Sequence, residues 1–74
     1  MLLDHIMPRL GAADEARSLE VWRDAARLVS ARWALFLDAD PRTRRWAFAS
    51  YVAALDAEEA AAADLAAVRM ATAA

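Results

Sequence analysis

The chain reads as an all-α protein: an antiparallel two-helix hairpin with an N-terminal arm, pairing into a homodimeric four-helix bundle. Three observations predict this. Apolar residues recur at helical spacing on both sides of a single break near residue 40. Turn chemistry is almost missing, with one Gly and two Pro in 74 residues, which argues against the many Gly-marked connections of a β protein. The two halves also carry more large apolar side chains than each can cover on the other. The hydrophobic share is 61%, yet mean hydropathy is only +0.17, because much of that share is alanine. Alanine is the best helix former and a weak filler of cores.

Residues 1–13 are expected to form a separate arm. Leu2, Leu3, Ile6, Met7 and Leu10 are too apolar for a free tail, Pro8 interrupts a helix, and Gly11 permits a change of direction. The arm is expected to fold over the open end of a bundle, or to dock on another protein. Residues 14–74 form the hairpin, with a helix over 14–38, a turn over 38–41 and a second helix over 41–71.

In the first helix Asp14 is a suitable N-cap. Leu19, Trp22, Ala26, Val29, Trp33 and Phe36 fall at alternating spacings of three and four, the seam of a packed helix. Val21, Ala25, Leu28 and Leu35 widen that stripe to one side. On the opposite side lie Asp14/Arg17, Glu20/Arg23 and Asp24/Arg27, oppositely charged pairs at i, i+3.

At the break, Asp40 can accept hydrogen bonds from the free N–H groups of the next turn, and Pro41 suits the first helical position, where a missing N–H costs nothing. Proline also disfavours the α region for Asp40, so the first helix must stop before it.

The second helix offers two rows. Phe48, Val52 and Leu55 are large, with Trp46 and Tyr51 beside them and Leu65 beyond. Ala49, Ala53, Ala60, Ala63 and Ala67 are small. A short turn forces the helices back to back, so that facing positions add to about 82. That register sets Trp22, Val29 and Trp33 against Ala60, Ala53 and Ala49. It also brings Arg27 near Asp56, Arg23 near Glu58 or Glu59, and Arg17 near Asp64.

With the alanine row turned inward, the large row is left in water. Phe48, Tyr51, Val52, Leu55 and Leu65, together with Leu28, Leu35 and Leu3 and Ile6 of the arm, are therefore the expected partner interface. The partner is a second copy of the chain or a larger protein.

Little in the sequence suggests catalysis. There is no cysteine and one histidine, and His5 lies in the arm with no nucleophile paired to it. No enzyme activity and no cofactor are expected. The aromatic residues sit at helical spacing and read as core rather than as a ligand pocket. Asp56, Glu58, Glu59 and Asp64 invite comparison with the metal sites of four-helix bundles, where Glu58 and Glu59 with Asp24 would be the ligands, but no histidine follows at i+3, so they read as ion-pairing groups. Arg32, Arg42, Arg44 and Arg45 form the only basic cluster, a candidate anion contact, whereas a net charge of −2 gives the chain no electrostatic pull toward nucleic acid. No run approaches the ~18 apolar residues of a membrane span, and the start lacks the pattern of a signal peptide. The cytoplasm is the expected compartment. The function these features predict is that of a small non-catalytic interaction or accessory subunit. The alternatives are anion or nucleic-acid binding by the arginines, and a carboxylate-bound metal site.

Overall fold

In a computed structural model, the backbone is described for residues 2–73 and the side chains for residues 11–73. Two helices account for almost all of it, α1 (Leu2–Asp38) and α2 (Arg44–Ala73), packed against each other as a hairpin with no strand among the described residues. The product is a rod of 60 × 15 × 14 Å with a radius of gyration of 17.1 Å. A compact domain of this length would have a radius near 11 Å. Two long helices joined by a short turn have no third element to fold onto.

α1 begins at Leu2 and not at residue 14, so residues 2–13, expected as a separate arm, belong to the same helix. Pro8 lacks the N–H of one ladder bond, but the helix continues on both sides of it. Gly11 does not bend the chain, since no glycine has a positive φ among the described residues. Its missing side chain serves a close approach instead: a Cβ there would lie 3.0 Å from the Thr72 methyl on α2. The side chains of Leu3, His5 and Ile6 lie outside the described residues.

The turn follows the expected chemistry with one added feature. Oδ1 of Asp40 accepts the backbone N–H groups of Arg42 (2.9 Å) and Thr43 (3.0 Å) and the Thr43 hydroxyl (3.1 Å). This is the capping role predicted for Asp40. The chain does not enter α2 at Pro41, however. Residues 41–43 form a tighter turn closed by the Thr43 N–H on the Asp40 carbonyl at 3.2 Å, and α2 starts at Arg44. α1 ends in the same way, with the Ala39 N–H on the Phe36 carbonyl at 3.2 Å. Such i to i+3 bonds commonly satisfy the free groups at helix ends.

This extra turn resets the register. Gly11 faces Thr72, Glu15 faces Arg69, Trp33 faces Tyr51 and Phe36 faces Phe48, pairs that add to 83 or 84 where about 82 was expected. Each residue of slip turns a helix by about 100°, so a different row of alanines packs on α1. Ala47, Ala54 and Ala61 are 4–5% exposed and Leu65 is 7% exposed, whereas Ala49, Ala53, Ala60, Ala63 and Ala67 are exposed. From α1, Trp22, Val29 and Phe36 of the expected seam are half-buried, and Trp33 is more open, at 42% exposed.

The i, i+3 ion pairs form as expected: Arg17–Asp14 at 3.0 Å, Arg23–Glu20 at 3.9 Å, and Arg27–Asp24. Their arginines were also expected to reach Asp64, Glu58 or Glu59, and Asp56 on α2, and they do not, because a partner on the same helix is closer and independent of register. Among the described residues the ion pair that crosses between helices is Arg69–Glu15 at 3.1 Å.

Candidate functional site

The candidate site is an apolar face at the turn end of the rod. Because α1 and α2 meet there, Trp33 and Phe36 come alongside Phe48 and Tyr51. The four rings form a closed set of tilted contacts: Trp33–Phe36 at 5.4 Å, Trp33–Tyr51 at 5.0 Å, Phe36–Phe48 at 5.4 Å and Phe48–Tyr51 at 6.3 Å between centroids. These separations lie in the range where aromatic pairs attract beyond simple burial. The cluster is only half covered, and Phe48 is 49% exposed. One turn further along α2, Val52 is exposed and Leu55 half-buried, so the apolar surface continues along the helix.

Of the residues predicted for this interface, Phe48, Tyr51, Val52 and Leu55 do share one face. Leu65 does not belong to it in the expected way, being buried against α1. Leu28 and Leu35 are exposed but lie elsewhere. With Val21 they repeat every seven residues, on the flank of the α1 seam opposite to that of Trp33, and so make a second, separate strip. Trp46, 66% exposed, falls on that second side of α2 by the same spacing.

Further along the aromatic face, toward the open end, the surface sinks into a groove of about 500 Å³ lined by Leu19, Trp22, Ala62, Leu65, Ala66 and Arg69. Its cause is the small side chains of Ala62 and Ala66, one turn apart, beside the bulk of Trp22. The groove was not anticipated, although the Ala62/Ala66 spacing signals it once the register is known.

Arg42, Arg44 and Arg45 are exposed and Arg32 is half-buried on α1. None of the four has a carboxylate at ion-pair distance among the described residues. Of their charges, that of Arg44 acts on the cap: the Asp40 carboxyl is held below its ordinary value of 3.8, first by the Thr43 N–H and hydroxyl, then by the Arg42 N–H and the charge of Arg44. Glu58 is half-buried, Glu59 is exposed, and exposed Asp24 is occupied by Arg27. No three His, Asp or Glu side chains converge among the described residues, so a single chain does not assemble the carboxylate site that Glu58, Glu59 and Asp24 suggested.

In comparisons with protein families, curated proteins and solved structures, nothing matches this chain. Among the described residues no helix is long and apolar enough to cross a membrane.

Proposed function

We propose that this chain is a small non-catalytic interaction or accessory subunit that acts by burying its aromatic face against protein, forming a homodimeric four-helix bundle with a second copy of itself. The supporting observation is the mismatch between what the hairpin exposes and what it buries. Its surface is 5842 Å², against about 4,500 Å² for a compact protein of this mass. The excess of roughly 1,300 Å² per chain exceeds the ~800 Å² that each partner contributes to a standard interface and falls within the range of obligate homodimers. Meanwhile its buried residues among those described are three alanines and one leucine, too small a core to hold a chain of this length. Docking on a larger protein would use the same surface.

The test is mass and melting temperature across a wide concentration range. A dimer whose melting temperature rises with concentration supports self-pairing, since association stabilises only the folded partners. A monomer that precipitates or unfolds alone turns the reading toward a larger partner. A stable, soluble, cooperatively melting monomer overturns the interaction reading altogether.

The hinge arginines favour a second reading, anion contact, because Arg42, Arg44 and Arg45 stand exposed together. Its test is binding to heparin at low salt, with loss on replacing Arg44 and Arg45 by Ser.

A further inference from the structure

We infer that the two copies pack head to tail, the aromatic cluster at the turn end of each rod seated in the groove near the open end of the other. This rests on the interaction reading above and specifies its partner and its geometry. Two rods can place the same faces together about a two-fold axis in two ways. With the axis along the rods, the turns lie at the same end. With the axis across the rods, they lie at opposite ends.

Shape favours the second. Along the aromatic face, the exposed rings of Trp33 and Phe48 stand up at the turn end, while the surface between Trp22, Ala62 and Ala66 is hollow. Trp33 and Phe36 lie about 14 residues, roughly 20 Å, along α1 from Leu19 and Trp22. An axis across the rod near residue 28 carries each cluster onto the other copy's groove. The side-by-side arrangement instead sets ring cluster on ring cluster and hollow on hollow, leaving the groove unfilled, and close packing disfavours such voids.

Charge favours it as well. Residues 28–55 hold four arginines and two aspartates, a net charge of +2. Residues 11–27 and 56–73 together hold four arginines and eight carboxylates, a net charge of −4. Head-to-tail pairing sets the positive half of each chain on the negative half of the other, twice. Parallel pairing sets like on like at both ends, and like charges brought together at an interface oppose association.

The chain contains no cysteine, so single cysteines report distances cleanly. Thr43→Cys labels the turn, losing the hydroxyl that Asp40 accepts but keeping both backbone N–H donors of the cap, and Ala67→Cys labels the open end, at exposed positions and without change of charge. For spin-labelled dimers, the head-to-tail geometry places two Thr43→Cys labels roughly 40 Å apart, from a rise of 1.5 Å per residue on either side of the axis. In a mixed dimer, one Thr43→Cys label lies within about 20 Å of an Ala67→Cys label on the other chain. These two distances together support the inference. A Thr43→Cys pair within about 20 Å, with the mixed pair distant, overturns it while leaving the interaction reading intact. A chain that stays monomeric at millimolar concentration overturns it together with self-pairing.

Discussion

Replacing Phe48 by alanine separates what the hairpin holds within itself from what a partner covers. Truncating a fully buried phenylalanine costs about 3–5 kcal/mol. Phe48 is 49% exposed in the single chain, resting on Phe36 and Tyr51, so the loss inside one hairpin is about half of that, ~1.5–2.5 kcal/mol. If a second copy covers the remaining half, each chain loses a similar amount on association. The dimer contains the residue twice, so its dissociation free energy falls by ~3–5 kcal/mol, equivalent to a dissociation constant raised at least 100-fold. The assay is light scattering over a dilution series together with thermal melts at each concentration. The expected result is a midpoint of dissociation displaced to much higher concentration in Phe48→Ala. An equal drop in melting temperature at every concentration, with mass unchanged, would refute the reasoning, because Phe48 would then matter only inside its own hairpin.

Other consequences of the structure are open to the same instruments. Ala54→Leu should destabilise by about 1–3 kcal/mol by overpacking the seam, whereas Ala53→Leu, one residue away and exposed, should stay within ~0.5 kcal/mol of the parent; the reverse order in denaturant titrations would restore the register near 82. Asp40→Ala removes the cap and should lower the melting temperature by about 4–8 °C at neutral pH. The Asp40 carboxyl is depressed from 3.8 in the folded chain, so its contribution is present above that value and lost as pH falls through the folded value. Melts of parent and Asp40→Ala should therefore differ by a constant amount above about pH 4 and converge below it. Gly11→Ala gains about 0.5–1 kcal/mol of helix propensity but meets the Thr72 methyl at 3.0 Å. Combined with Thr72→Ser, which deletes that methyl, it should raise the melting temperature more than it does alone.

Local features were legible in the sequence because they depend on spacing alone. The Asp40 cap and the three i, i+3 ion pairs of α1 need no knowledge of what lies across the hairpin. The stop before Asp40 was legible for the same reason, from Pro41. The register was not. α2 contains several alanine rows of similar spacing, and which of them faces α1 depends on whether the helix starts at residue 41 or 44. A single tight turn at 41–43 made that choice and exchanged Ala53 and Ala60 for Ala54 and Ala61. The same slip buried Leu65, and the flank of α1 to which Leu28 and Leu35 belong separated them from the aromatic face. Phe48, Tyr51, Val52 and Leu55 remained together because they occupy adjacent turns of one helix. The continuation of α1 through Pro8 and Gly11 was hidden because each residue normally weakens a helix, and residue preferences are a smaller influence than the sum over a long helix.

The most direct test of the central proposal is the mass of the chain in solution, by sedimentation equilibrium from low micromolar to millimolar concentration. The predicted result is twice the chain mass of 8.1 kDa, dissociating on dilution with loss of helicity. A species of 8.1 kDa at every concentration, with a cooperative melt that does not move, would contradict it.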